Sequence, residues 1–276
     1  MERNKWDQIY HFTSLKNLER IARTGYIALT DVIKSNDPAE GIYVLETLKQ
    51  SYQKLWRDGE ITEKQYLRLH QLFFDFVENE KTGGRLQQMV LSLSFCEPDF
   101  PLALWRAYGD QGRGAAIGIA KEKLEQLGQK RGFRFQQVQY YDEKELVRQQ
   151  QEFWRIHLGD TNEALQAALR EQYICGYFMK REENSYEKEW RLIYTGFSLE
   201  KYMIPGLEPE VPSELDAYAK EDDLVFYYKL PVNQERLIEC ILLGPQCKVK
   251  ACEMLAFLKK HHIQNMGISY GAEIMR

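Results

Sequence analysis

The chain has 276 residues, and its 37 basic and 41 acidic residues leave a formal net charge of −4. This near balance excludes the strongly basic composition of a protein whose whole surface binds nucleic acid. No apolar run approaches the roughly 20 residues that span a bilayer, and the polar first residues do not resemble a signal peptide, so we expect a cytoplasmic protein without a membrane partner. The cysteines form no C-x-x-C pair and are expected to be reduced and buried: Cys96, Cys175, Cys240, Cys247 and Cys252.

The N-terminal segment predicts a strand followed by a capped helix. Residues 8–13 alternate around aromatic and β-favouring types, Thr13 and Ser14 offer a helix N-cap, and Gly25 is a suitable stop for the helix. His11 would lie near the end of the strand, with Thr13 on the same strand face. An imidazole there would either bind a ligand at neutral pH or be a hydrogen-bonded histidine of the core.

The middle of the chain predicts helices, a short strand and a stacking surface. Residues 41–82 have helical periodicity divided at Asp58-Gly59, after an exposed turn within Ser35–Glu40. The apolar strand over residues 89–96 would place Ser92 and Ser94 on one face. A helical turn over residues 102–108 would bring Trp105 and Tyr108 to one side, where they would stack on a planar ring or join the core, and a glycine-led strand follows over residues 112–119.

The remaining elements predict the fold class. Strand patterns at residues 133–141, 189–194, 224–230 and 237–243 alternate unevenly with helical stretches at 121–128, 143–180 and 249–261. We count about six or seven strands without strict β-α-β alternation, which favours an α+β fold over a doubly wound parallel sheet. Without a linker or an internal repeat, residues 1–276 are interpreted as one domain with helical insertions at about 41–82 and 143–180.

The run from Tyr186 to Arg191 carries a candidate site. A strand would place Glu187 and Glu189 on one face, with Arg191 continuing the row. Two close carboxylates repel each other, so one of them would hold a proton or need a cation beside it. Such a pair suits the orientation of a ribose hydroxyl or the stabilisation of a positive charge, although charged runs are also commonly solvated strands.

Several common sites are not indicated by the sequence. Histidine and cysteine spacings give no metal motif, so no metal is expected. Gly112 and Gly114 lack the G-x-G-x-x-G context of a dinucleotide-binding fold, and no Walker loop or G-x-S-x-G elbow is present.

Five separated motifs together resemble a bacterial family, domain-of-unknown-function family 2971. The motifs are Tyr10–Ser14, Ser35–Glu40, Ser92–Cys96, Leu104–Gly109 with Gly114–Ile119, and Lys180–Arg191. That family is distantly similar to ADP-ribosyltransferases, including the branch with a His-Tyr-Glu triad. The resemblance implies a mixed or antiparallel sheet core like the split sheet of those enzymes, with helical insertions.

The resemblance also implies catalytic roles. His11 would take the first-strand position that holds the nicotinamide ribose, and Glu189 would be the late-strand glutamate that polarises a ribose hydroxyl. Glu187 would precede it as in the E-x-E form of arginine-modifying toxins. Ser92 or Ser94 would correspond to the middle-strand serine of those toxins, whereas Tyr108 matches the aromatic wall of the other branch; the middle triad member is open among Ser94, Trp105 and Tyr108.

The implied substrate is NAD. Cleaving its nicotinamide–ribose bond passes through an oxocarbenium-like centre that a carboxylate stabilises. Tyr10 and Thr13, which flank His11, join the cofactor-binding set, and the pyrophosphate would need cations, for which the nearest candidates are Arg106, Arg113 and Arg191.

The leading hypothesis is therefore an NAD-dependent ADP-ribosyltransferase that acts on an unknown macromolecular acceptor, protein or nucleic acid, as a toxin or anti-phage effector. One alternative is a non-catalytic module that binds a nucleotide or ADP-ribose. Another is a nucleic-acid-processing enzyme that uses His11 and Glu189 as an acid–base pair.

Overall fold

The computed structural model describes residues 7–32, 42–78, 89–98, 101–197, 210–233, 235–263 and 266–271, so the predicted turn Ser35–Glu40 lies outside the described residues. The strands are β1 Gln8–Thr13, β2 Tyr26–Asp31, β3 Leu91–Cys96, β4 Ala115–Ala120, β5 Phe133–Gln137, β6 Gln139–Tyr141, β7 Met179–Arg181, β8 Glu189–Tyr194, β9 Leu215–Lys220, β10 Asp223–Pro231, β11 Ile238–Leu243 and β12 Gly267–Tyr270. The α-helices are α1 Leu15–Thr24, α2 Ile42–Arg57, α3 Glu63–Glu78, α4 Leu102–Ala107, α5 Lys121–Gly128, α6 Glu143–His157, α7 Asn162–Gly176 and α8 Ala251–Lys260.

The N-terminal strand and helix follow the prediction. Ser14 caps α1, since its hydroxyl accepts a hydrogen bond from the Asn17 backbone N–H at 3.2 Å. Gly25 ends the helix in the left-handed region at φ 74°. The buried side of α1 packs on the sheet, in the same core cluster as Ile9 of β1.

One ten-stranded sheet organises the molecule, in the order β12-β11-β4-β1-β3-β2-β10-β9, with β8 also pairing with β3 and β5 pairing with β8. The strand pairs described within this sheet are antiparallel except for β11 with β12. A separate parallel pair is formed by β6 and β7. The predicted α+β class with a mostly antiparallel sheet is therefore confirmed.

The sheet opens along one edge of β3. All of Leu91–Cys96 pairs with β8 on the other edge. On the open edge, β1 pairs only through Tyr10 with Cys96, and β2 pairs only at Leu91 and Ser92. The two strands thus leave β3 at opposite ends, and we call the gap between them, beside Ser94, the split.

The sheet has two unlike faces. Leu91, Leu93 and Phe95 of β3 point into the main core with α1, α5 and α8, and we call this side the core face. Because side chains alternate along a strand, Ser92, Ser94 and Cys96 point to the opposite side, which we call the site face. The site face is apolar near β1, where α4 packs on it, and again where Val90 and Ile193 pack against the end of α7.

The two predicted helical insertions pack together as one bundle. Helices α2, α3, α6 and α7 share a core of their own that includes Tyr52 and Trp154. The Trp154 indole N–H donates to the Ser51 hydroxyl at 2.9 Å and to the Leu48 carbonyl at 3.0 Å. Ile156 is apolar and on the same helix but is 66% exposed, because it lies two residues from Trp154 on the outer side of α6.

Gly114 is required by the close contact between β1 and the loop before β4. A Cβ atom at Gly114 would lie 2.2 Å from the Thr13 carbonyl oxygen and 2.9 Å from that of Gly109. Gly114→Ala is expected to lower the free energy of unfolding by at least about 2 kcal/mol, because backbone atoms must move. Gly159→Ala is the control, since its Cβ would meet nothing within 4 Å, and its change should stay within about 1 kcal/mol. Urea unfolding measures both, and equal losses would contradict this explanation.

Candidate functional site

The split leaves a polar opening in the middle of the sheet. Ser94 has an exposed side chain on the site face and lies where neither β1 nor β2 continues the ladder. The His11 ring fills the missing ladder contact: its Nδ1 lies 3.0 Å from the Ser94 carbonyl oxygen. A carbonyl only accepts, so Nδ1 carries the proton and Nε2 is left as an acceptor.

His11 and Glu189 belong to opposite faces of the sheet. Tyr10, Cys96 and Glu189 form one cross-strand row on the site face. His11 follows Tyr10 and therefore points to the core face, where its ring packs edge-on against Phe95 at 6.2 Å. Burial lowers the pKa of His11, although its hydrogen bond to Ser94 opposes this shift. The acid–base pair considered for nucleic-acid processing is therefore not formed as a direct contact.

A buried ion pair lies beside Ser94 on β8. Arg191, which is opposite Ser94 in the ladder, is 2% exposed, and Glu189 is 5% exposed. The guanidinium binds the carboxylate with two of its three nitrogens, Nε to Oε1 at 2.5 Å and Nη2 to Oε2 at 3.0 Å. Its Nη1 donates to the Tyr177 carbonyl at 2.7 Å. Such a bidentate pair fixes the direction of both side chains.

A second ion pair joins this one through Lys180. The Lys180 ammonium lies 2.8 Å from Glu187 and 2.8 Å from Glu189, and all three side chains are nearly buried. Glu187 also accepts a hydrogen bond from the Tyr108 hydroxyl at 3.1 Å. We call Lys180, Glu187, Glu189 and Arg191 the charged cluster; its two acids and two bases balance.

The predicted strand row needs one correction. Glu187 ends a 3₁₀-helix at Glu182–Glu187, and Lys188 then adopts a left-handed conformation at φ 42° before β8 begins at Glu189. Glu187 is therefore not on the strand with Glu189. The turn nevertheless brings the two carboxylates to one cation, Lys180, which is one of the two arrangements considered for a close pair of carboxylates.

The charged cluster keeps Glu189 ionised. Burial would raise the pKa of the Glu189 carboxyl, but the charges and hydrogen bonds of Arg191 and Lys180 outweigh it and lower the pKa to about 2. The nearby phenols are neutral at pH 7. Burial, with the adjacent carboxylates, raises the pKa of Tyr140 to about 12 and raises that of Tyr108 as well.

Tyr108 is the accessible member of the site. Its side chain is 50% exposed, whereas Trp105, one helical turn earlier, is 0% exposed and packs edge-on against Phe12 at 4.7 Å. The proposed stacking platform of both rings is therefore not formed, because α4 turns Trp105 into the core. Among the open candidates for the middle triad position, Ser94 and Tyr108 are the ones with exposed side chains.

The other predicted ligand-binding residues lie around this centre. Tyr10 and Thr13 are buried on β1, and Ser92 is half-buried beside Thr30. Arg106 is exposed on α4, while Arg113 is held by Asp110 at 2.9 Å in the loop before β4. The structure thus connects Glu187, Glu189, Arg191 and Tyr108 directly, and leaves Arg106 and Arg113 outside these contacts.

Sequence reasoning missed Lys180 and Tyr140. Lys180 was within a motif but had no role, and the Tyr140 hydroxyl accepts the Glu189 backbone N–H at 2.9 Å. Both come from the small β6–β7 pair, in which Tyr140 is opposite Lys180. No spacing in the sequence links these two strands to β8, so only a three-dimensional arrangement identifies them.

The described ranges contain neither a cluster of metal-ligating side chains nor a membrane-spanning helix. Within them, no three side chains of His, Cys, Asp or Glu are grouped so as to hold a metal ion. None of the helices in those ranges has the length and apolar character needed to cross a membrane.

Comparison with known proteins gives one family match. Residues 104–192 match the model of a family described as "Protein of unknown function (DUF2971)". No curated protein and no solved structure matches the chain. The matched segment runs from α4 to β8 and contains Tyr108 and the whole charged cluster, so the similarity to this family covers most of the candidate site.

Proposed function

We propose that the protein binds NAD in the split, cleaves its nicotinamide–ribose bond and transfers ADP-ribose to a macromolecular acceptor. The observation that carries this proposal is the opening of the sheet at Ser94, next to a buried and ionised Glu189. We further infer that this sheet corresponds to the split sheet of ADP-ribosyltransferases. A ligand in the split would touch groups from both faces, because no strand ladder closes the sheet there.

The chemistry assigns a role to each group. The bond between ribose C1′ and the nicotinamide nitrogen breaks, nicotinamide leaves with the electron pair, and positive charge develops at C1′. The Glu189 carboxylate would orient a ribose hydroxyl and stabilise that charge. His11 Nε2 would accept a hydrogen bond from a second ribose hydroxyl. The exposed Tyr108 ring would stack against the nicotinamide ring. An acceptor nucleophile then bonds to C1′ and releases its proton.

The ion pairs of Glu189 leave room for this role. Each carboxylate oxygen has two lone pairs, and the contacts of Arg191 and Lys180 use them only in part. The same cations would attract the pyrophosphate of NAD, with Arg191 placed nearest to Ser94.

One observation favours a second candidate, a module that binds a nucleotide without turning it over. Because Arg191 and Lys180 already compensate the charge of Glu189, the charged cluster is neutral and would stabilise a developing cation less than a free carboxylate. In this case the protein would bind NAD or ADP-ribose saturably and release no nicotinamide.

A steric block of the split tests the site. Ser94→Leu is expected to lower nicotinamide release from NAD by at least about tenfold, because the larger side chain would fill the opening beside Arg191. Ser269→Leu is the matched control. Ser269 is on the edge strand β12 and pairs with Leu242 of β11, which puts Ser269 on the site face but four strands from β3. The Ser269→Leu variant should therefore retain wild-type nicotinamide release.

The measurement is nicotinamide release by purified protein with and without cell lysate as the source of acceptor. Release that is lost in Ser94→Leu alone supports transfer in the split. Saturable NAD binding without release, blocked by the same variant, would support the binding module. Release that is equal in both variants would place the reaction elsewhere and refute this site.

A further inference from the structure

Lys180 is the residue on which the two acidic groups of the site converge. It reaches Glu187 and Glu189 at the same distance, 2.8 Å, from the short strand β7. Arg191 is occupied by Glu189 and by the Tyr177 carbonyl. Lys180 is therefore in direct ionic contact with both carboxylates of the charged cluster.

Glu187 links Lys180 to the exposed side chain of Tyr108. Glu187 accepts a hydrogen bond from the Tyr108 hydroxyl. A charged carboxylate is a stronger acceptor for this bond than a neutral carboxyl group. Lys180 pairs with Glu187, and Glu187 in turn accepts the hydrogen bond that holds the exposed Tyr108 ring beside the charged cluster. This gives a continuous path from a nearly buried ammonium group to an exposed aromatic ring.

We propose that Lys180 is a positioning residue that holds the carboxylates of Glu187 and Glu189 side by side and thereby orients Tyr108. The proposal rests on the proposed function only in that Glu189 acts on NAD. Without Lys180, the two nearly buried carboxylates would have Arg191 as the remaining cation of the charged cluster, and one of the two would be protonated more readily.

Other titratable and charged groups near Lys180 do not replace its charge. Those in or beside the charged cluster are either acidic, neutral at pH 7 or already paired: Cys96 on β3, Tyr108 after α4, Tyr140 on β6, Glu187 in the 3₁₀-helix, and Glu189 and Arg191 on β8.

The test compares Lys180→Met, which keeps the length of the side chain, with Lys180→Arg, which keeps its charge. Carbon-13 NMR of the glutamate carboxyl carbons is followed from about pH 4 to pH 8, with Glu187→Gln used to assign the resonance. We expect one carboxyl of Lys180→Met to take up its proton at least about one pH unit higher than in wild type. Lys180→Arg should titrate like wild type.

Activity gives a second readout. If the protein releases nicotinamide, the acid limb of its pH profile should move upward in Lys180→Met by the same amount and stay in place in Lys180→Arg. A carboxyl titration unchanged by Lys180→Met would overturn the proposal. If wild type releases no nicotinamide at any pH, the proposed function fails, and the titration still decides the role of Lys180.

A folding defect in Lys180→Met is also informative. In that case the double variant Lys180→Met/Glu187→Gln, which removes one charge of each sign, should fold and keep Glu189 ionised. Failure of the double variant alongside a folded Lys180→Arg would assign Lys180 a packing role through its stem and would refute the proposal.

Discussion

An Arg191→Met variant is expected to lose about 3–5 kcal/mol of unfolding free energy, the usual cost of breaking a buried ion pair. Arg191 has almost no exposed surface and makes two charged contacts to Glu189 and one hydrogen bond to the Tyr177 carbonyl. Methionine fills much of the volume but leaves Glu187 and Glu189 with Lys180 alone. Urea unfolding at pH 7 measures the loss.

The double variant Glu189→Met/Arg191→Met separates the ion pair from packing. Since the remaining pair of Lys180 and Glu187 is neutral, the double variant should recover at least about 1 kcal/mol relative to Arg191→Met. A double variant whose loss equals the sum of the two single losses would show that Glu189 and Arg191 are not coupled, contrary to their geometry.

Local patterns were sufficient to predict the strands and helices that are defined by their own side chains. β1 and α1 were found because alternation, a serine cap and a left-handed glycine agree on the same boundaries. The break between α2 and α3 followed from Asp58-Gly59. In each case the information lies within a few residues of the element it defines.

Elements that depend on partners were missed. The strands β9 and β12 lie at the two ends of the strand order, β2 is held between β3 and β10, and β7 has only three residues. The strand predicted over residues 133–141 is in fact divided at Val138, because β5 pairs with β8 and β6 pairs with β7. Pairing energy, which no local pattern contains, decides these segments.

The site was predicted in part for the same reason. Glu189 and Arg191 lie two apart on a strand, so their shared face follows from alternation. The position of Glu187 depends on the left-handed conformation of Lys188, which lysine rarely adopts. No pattern in the sequence predicts that conformation. Lys180 reaches the carboxylates only after the helices α6 and α7 have brought β7 back beside β6.

The bundle shows how two separate insertions come to act as one unit. Arg155 of α6 pairs with Glu60 of the α2–α3 connection, and Arg68 of α3 donates to the carbonyl of Leu158 at 3.0 Å. These contacts join the first insertion to the second. At the end of the second insertion, the Tyr177 carbonyl accepts a hydrogen bond from Arg191. The bundle therefore contacts the charged cluster through the Tyr177 carbonyl, and changes in the packing of the bundle should alter the position of Arg191.

Glu189→Gln is expected to reduce nicotinamide release by at least about a hundredfold, since the amide cannot stabilise positive charge at C1′. The variant also leaves Arg191 without its carboxylate, so its fold must be verified by circular dichroism and unfolding at the assay temperature. Glu187→Gln is the matched control: it removes a nearly buried carboxylate of the same cluster but keeps the pair of Glu189 with Arg191, and its loss should be smaller than about tenfold. Equal losses in the two variants would mean that the charge balance of the cluster, and not Glu189 itself, governs the reaction. A folded Glu189→Gln with wild-type release would remove Glu189 from the chemistry and leave it as the structural anchor of Arg191.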